Sequence, residues 1–249
     1  MSGHSKWKTI QHKKGAADAK RGKVFSRVVK EIMVAARKGG NPTTNASLRN
    51  AMQSAKAANM PMDNVMRAIK KGTGEIEGAQ LEEVVYEGFA AGGVGLIVMV
   101  LTDNKNRAAA EVRHVFNRNN SNFAAQGAVS RGFQRRGQIL VDGSKIAEDK
   151  LMEIALEAGA DDMTSDGGEY EILTDPASYD AVVEALRAKS VEIRESAIAM
   201  VPLSYVPVGD PAVAKAVMRF IDDLEDNDDV QNVYANCDID EAVLKNMDE

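Results

Sequence analysis

The chain has one cysteine, Cys237, so no internal disulfide and no thiolate metal cluster can form. A reducing, cytoplasmic setting fits that usage. No apolar run approaches the roughly 18–20 residues that cross a bilayer, which excludes a helical membrane span. The start, Met1-Ser2-Gly3-His4-Ser5-Lys6-Trp7, leads into lysines rather than an apolar segment, so no secretory signal is expected. The three histidines, His4, His12 and His114, show no metal-ligand spacing. The scarcity with the largest consequence is of acid near the start. Residues 1–71 contain only Asp18, Glu31 and Asp63.

Against those three carboxylates stand sixteen Lys/Arg, a balance of +13; the whole chain is −6, which leaves −19 for residues 72–249. Residues 72–136 hold seven cations and seven carboxylates, and residues 137–249 hold eight and twenty-seven, so the whole −19 falls on the last segment. A division this sharp predicts a polyanionic partner for the N-terminal part and repulsion of that partner elsewhere.

Residues 1–23 have few large apolar groups and many lysines, and read as a basic arm, poorly ordered unless bound. Residues 24–75 read as a three-helix bundle. Val24–Lys38 sets Phe25, Val28, Val29, Ile32 and Ala36 on one face and ends at Gly39-Gly40. Asn45 can cap a second helix, with Leu48, Met52 and Ala55 inward. Pro61 opens a third, with Val65, Met66 and Ile69 inward, Lys70-Lys71 in its last turn and Gly72 as its cap.

Beyond a linker at 72–80 the pattern alternates strands and helices. Strands are predicted over Leu81–Glu87, Val94–Leu101 and Ala128–Phe133, and a helix over Asn104–Asn119. Then come strand Gln138–Val141, helix Lys145–Ala158, strands Asp161–Ser165 and Tyr170–Leu173, helix Pro176–Ala188 and strand Val191–Val201. That βαββαβ order is ferredoxin-like. A last helix, Pro211–Leu224, and a last strand, Val230–Ala235, return most economically to the first sheet. The expected fold is therefore multidomain α+β. A split α+β domain (76–136 plus 203–249) carries a ferredoxin-like domain (137–202) as an insertion.

Cations at this density can neutralise phosphates and release counterions. The candidate nucleic-acid contacts are Lys6, Lys8, Lys13, Lys14, Lys20, Arg21, Lys23, Arg27 and Lys30, with Trp7 as a candidate for stacking on an unpaired base. Phe25 fits the core of the first helix better than stacking. A second anion-facing surface is expected from Lys105, Arg107, Arg113, His114, Arg118, Arg131, Arg135 and Arg136, because Arg107, His114 and Arg118 recur at helical spacing. The same pattern also fits a solvated helix face.

The chain carries no recognisable catalytic motif. Gly92-Gly93-Val94-Gly95 lacks the spacing of a dinucleotide fingerprint, and Gly72-Thr73-Gly74 lacks the lysine of a phosphate loop. Asp222–Asp229 lacks the central Gly and terminal Glu of a calcium loop and reads as a solvated helix end and turn. No enzyme activity, cofactor or metal is expected.

Several stretches resemble the YebC family: Gly3-His4-Ser5-Lys6-Trp7, Ala17-Asp18-Ala19-Lys20-Arg21-Gly22-Lys23, Tyr86-Glu87-Gly88-Phe89, Asp103-Asn104-Lys105-Asn106-Arg107 through Glu111-Val112-Arg113-His114, and Asp229-Val230-Gln231-Asn232-Val233-Tyr234. The resemblance runs essentially end to end. It implies a helical N-terminal domain and two α+β domains around a cleft. It also implies a regulator of gene expression: a transcriptional regulator binding DNA, or a translation factor on ribosomal RNA like the mitochondrial activator of cytochrome oxidase subunit I. Some members relieve ribosomes stalled at proline-rich stretches. The expected partners are DNA or ribosomal RNA, with the ribosome or the transcription machinery, and a monomer is expected. A protein-interaction scaffold is the reading from a different class. The chain departs from the family pattern at Ser121-Asn122-Phe123-Ala124 and Arg131-Gly132, which suggests a paralogous branch.

Overall fold

The computed structural model describes residues 19–166, 168–240 and 243–244. The arm expected over 1–23 lies outside the described residues as far as residue 18. Its last five positions are not arm but the start of a helix, α1, Ala19–Ala36.

Helices α2 (Ala46–Ala57) and α3 (Met62–Thr73) complete the bundle. Asn45 joins α1 to α2. Its side-chain oxygen accepts from Leu48 N–H at the start of α2, while Nδ2 donates to the carbonyls of Ala35 (2.8 Å) and Gly39 (2.7 Å). One amide thus answers orphan groups at the end of one helix and the start of the next. Ile32, Leu48, Ala51, Ala55, Val65 and Ile69 form the core. Met66, expected inward, faces solvent instead, with Ala68 buried in its place. The cap of α3 is Gly74 at φ +81°, not Gly72. Gly72 serves close packing, because a Cβ there would run into the Met33 carbonyl and the Ala36 methyl of α1.

The first sheet has the order β3-β1-β2-β9. Strands β1 (Glu82–Phe89) and β2 (Gly95–Thr102) form a hairpin across Gly92 and Gly93, both at positive φ. Helix α4 (Lys105–Arg118) follows, then β3 (Asn122–Ala124), which pairs with β1. The strand expected over 128–133 is a loop ending in a short turn at Ser130–Gly132. Val129 of this loop and Phe133, which opens the next strand, pack with Ile97 in a separate small core.

Strand β4 then runs unbroken from Phe133 to Asp142. With α5 (Glu148–Glu157), β5 (Ala160–Asp166), β6 (Glu169–Thr174), α6 (Tyr179–Ala188) and β7 (Ile193–Pro202) it builds a second, antiparallel sheet of order β5-β6-β4-β7. That is the ferredoxin-like arrangement, with α5 and α6 packed on one face over Ile139, Val141 and Ile172.

Beyond β7, β8 (Val206–Val208) leads into α7 (Pro211–Glu225), β9 (Val230–Ala235) and β10 (Cys237–Ile239). Strand β9 pairs with β2, so the end of the chain does return to the first sheet. Strands β8 and β10 form a parallel ribbon that the sequence pattern did not announce. Helices α4 and α7 cover the first sheet over Leu96, Val98 and Val100, with Phe116 and Phe220 edge to face at 4.8 Å.

Candidate nucleic-acid interface

Of the candidate phosphate-binding residues, Lys6, Trp7, Lys8, Lys13 and Lys14 lie outside the described residues. Lys20 and Arg21 fall at the start of α1. Lys23, Arg27 and Lys30 are spaced i, i+4, i+7 and so share one side of α1. They are already bonded within the chain. Lys23 Nζ reaches Asp226 Oδ1 (2.9 Å) and the Asp226 carbonyl (3.0 Å). Arg27 Nη2 donates to the Glu225 carbonyl. Lys30 Nζ reaches Asp229 Oδ1 (2.6 Å) and the carbonyls of Asp228 (2.8 Å) and Leu101 (3.2 Å). The C-terminal end of α7 is suited to this, since its last carbonyls have no intrahelical donor and mark the negative pole of the helix.

Asp229 is the centre of this junction. The reading of Asp222–Asp229 as a solvated helix end and turn fails at Asp229, which is only 6% exposed, while Asp226 and Asp228 are exposed. One carboxylate oxygen takes Lys30, and the other accepts from Thr102 Oγ1 (2.8 Å) and Arg107 Nη2 (2.9 Å). Burial alone would raise the Asp229 carboxyl; its bonds to Lys30, Arg107 and Thr102 outweigh that and hold it below the usual carboxylate range. Arg107 is raised in turn, chiefly by its hydrogen bonds to Asp229 and Asp103. Asn104 caps α4 by accepting from Arg107 N–H, which fixes the helix that aims Arg107.

Half of the second expected surface, Lys105, Arg107, Arg118 and Arg136, is neutralised by ion-pair partners. Lys105 pairs with Glu82 (2.5 Å), Arg118 with Asp223 (2.6 Å) and Arg136 with Asp161 (2.5 Å). Arg113 lies over the Phe123 ring at 5.0 Å. His114, Arg131 and Arg135 are exposed and have no ion-pair partner among the described residues.

A second buried carboxylate organises the loop before β4. Glu87, 2% exposed, accepts the backbone N–H groups of Gly127 (2.8 Å), Val129 (2.6 Å) and Ser130 (2.9 Å). Burial would raise its carboxyl, but these donors prevail and lower it. Its chain neighbours Tyr86 and Gly88 are fixed by close packing. A Cβ at Gly88 would collide with the Phe116 ring and the Asn122 carbonyl. Tyr86 packs on Phe123 at 5.7 Å, and Phe123 meets Phe116 edge to face at 5.3 Å. The departing segment Ser121–Ala124 thus supplies an aromatic to this stack.

On the outer faces of the bundle, Lys38, Lys56, Arg67 and Lys70 are exposed, beside Met62 and Met66. The bundle also touches the ferredoxin-like unit: Asn50 bonds Asp180 (3.2 Å), and Arg187 bonds Gln53 (3.0 Å). Among the described residues no group of three or more His, Cys, Asp or Glu is placed to hold a metal ion, and no helix is long and apolar enough to cross a membrane.

Residues 5–75 match the model of the TACO1/YebC protein N-terminal domain, and residues 81–237 match that of the TACO1/YebC second and third domain. A probable transcriptional regulatory protein of Desulfotalea psychrophila is 51% identical over 250 residues, covering 100% of both chains. One of Treponema pallidum is 54% identical over 240 residues, covering 96% of this chain and 98% of its own. Among solved structures, a conserved hypothetical protein from Aquifex aeolicus superposes with a TM-score of 0.81 at 46% identity, covering 90% of this chain and 93% of its own.

Proposed function

Because the chain belongs to the TACO1/YebC family, we propose that it is a non-enzymatic regulator of gene expression that binds nucleic acid through its basic N-terminal part. The observation that carries this reading is the segregation of charge, +13 over residues 1–71 against −19 over the remainder of a chain of −6. The names of the relatives, probable transcriptional regulatory proteins, agree with it.

Lys6, Lys8, Lys13, Lys14, Lys20 and Arg21 supply the first phosphate contacts, and Trp7 stacks on an unpaired base. The acidic segment over 137–249 is repelled by the polyanion and so orients it. Charge reversal at Lys13, Lys14 and Lys20 together abolishes binding at physiological salt and flattens its salt dependence. Unchanged affinity would overturn the assignment.

A translation factor on ribosomal RNA is favoured over a promoter-DNA reader by one observation. Helix α1, the most cationic of the bundle, lies against α7 by its Lys23-Arg27-Lys30 side rather than standing clear to enter a groove. Crosslinking in cells, with the recovered RNA and DNA sequenced together, tests this. Enrichment of ribosomal RNA is expected, and enrichment of promoter DNA would reverse the order of the two readings.

A further inference from the structure

The cations that α1 presents to α7 are bonded to oxygens of the same kinds that a phosphate backbone offers. Lys23, Arg27 and Lys30 together make five contacts to residues 225–229, two to carboxylates and three to carbonyls, all from one side of one helix. The set is not fully satisfied. Arg27 Nε is buried and has no hydrogen-bond partner among the described residues. A guanidinium held by one carbonyl is short of the two-oxygen partner that a phosphate provides.

The rest of the bundle's attachment is of a kind that can open. Its apolar core draws on residues 25–81 alone, and no apolar cluster among the described residues joins it to either sheet. Besides the α1–α7 contact it is held by polar pairs: Asn50 on Asp180 (3.2 Å) and Arg187 on Gln53 (3.0 Å). Residues 74–80, exposed and without helix or strand, connect it to β1. A polar interface spanned by an exposed linker is one across which domains move.

We infer that the seating of α1 on residues 225–229 is an autoinhibitory latch, in which the end of α7 stands in for nucleic-acid phosphate and is displaced by it. This rests on the proposed nucleic-acid binding and adds its regulation. The latch is graded. At the rim, Lys23 and Asp226 have side chains 37% and 69% exposed, so a phosphate displaces Asp226 first. At the heart, Lys30 and Asp229 are 18% and 9% exposed, and they separate only when the bundle swings away. Opening presents three more cations on one line of α1.

The test uses the full chain with a 20-nucleotide single-stranded RNA and a 20-base-pair DNA duplex, each titrated across a salt series. Asp226→Asn should tighten binding about threefold and Asp229→Asn about tenfold. The salt slope should steepen by about one unit as cations are freed. Glu157→Gln, on the exposed side of α5, makes the same charge change away from the latch and should leave affinity within about 1.5-fold of the parent. Hydrogen exchange of the 225–230 amides should quicken when the bound nucleic acid is added. If the parent binds and the two Asp variants match Glu157→Gln, the latch is overturned and the proposed function stands. If none of the four chains binds either probe, the proposed function falls and the latch with it. Slower exchange at 225–230 in the bound state would also overturn the latch.

Discussion

Two buried carboxylates lie on the first sheet and its connections, and they hold different kinds of partner. Asp229 binds the charged side-chain heads of Lys30 and Arg107 together with the Thr102 hydroxyl. Glu87 binds backbone N–H groups of a single loop. Both are lowered against the pull of burial. The difference is in what can replace the partner. A lysine or arginine head exchanges one anion for another, so the Asp229 junction answers to competing phosphate and to salt. Backbone donors in a folded loop have no such freedom, so Glu87 is a fixed anchor. One carboxylate is placed to join units that can separate, the other to set the shape of a unit.

The largest effect should come from Asp229→Ala. It leaves Lys30 without its carboxylate in a partly buried site and removes the nearer of the two acceptors of Thr102, at about 3 kcal/mol of stability by urea unfolding. A loss below about 1 kcal/mol would mean that the junction is already open in solution. Glu87→Gln comes next. The amide nitrogen replaces one acceptor oxygen and faces a backbone N–H, costing about 2 kcal/mol. The comparison adds a second check. Raising salt should shrink the Asp229→Ala effect and leave that of Glu87→Gln unchanged.

The sequence made the helices and the βαββαβ order readable because those elements are long enough to show a period. Strands β3, β8 and β10, three residues each, are too short for that. Val129 and Phe133 alternate as a strand would, yet they belong to the small core between the sheets, a tertiary fact with no local signature. The candidate interface was legible as charge but not as availability. Nothing in the spacing of Lys23, Arg27 and Lys30 distinguishes an open stripe from one laid on carbonyls, since a carbonyl belongs to every residue. Asp229 was masked by the acidic run around it, and its partners lie 127 (Thr102), 122 (Arg107) and 199 (Lys30) positions away. Its place in a resembling motif beside that of Arg107 was the one signal that could have joined them.

Acid should act on both carboxylates in the same direction. Their carboxyls are lowered in the folded chain, so the stability they contribute is fully present above their unfolded values of about 4 and is lost as pH falls through the folded values. Unfolding free energy should therefore drop as pH falls below about 4, less steeply in Glu87→Gln and in Asp229→Asn than in the parent. Added salt should reduce the share that belongs to Asp229 and spare that of Glu87. Parallel pH profiles for parent and variants would remove both groups from the acid response.

The smallest effect on stability should come from Asp226→Asn. The Lys23–Asp226 pair is exposed at the rim, and pairs of that kind contribute from nothing to about 1 kcal/mol. The variant should melt within about 0.5 kcal/mol of the parent. Its value lies in separating stability from availability. If Asp226 only holds the fold, a change that leaves stability alone should leave nucleic-acid affinity alone. If Asp226 occupies a cation that phosphate would otherwise take, affinity rises while the melt does not move. Asp229→Asn cannot make that distinction by itself, because it perturbs the buried heart and the rim together. The rim variant, nearly silent in stability, therefore tells most directly whether the junction at α7 competes with the partner of α1.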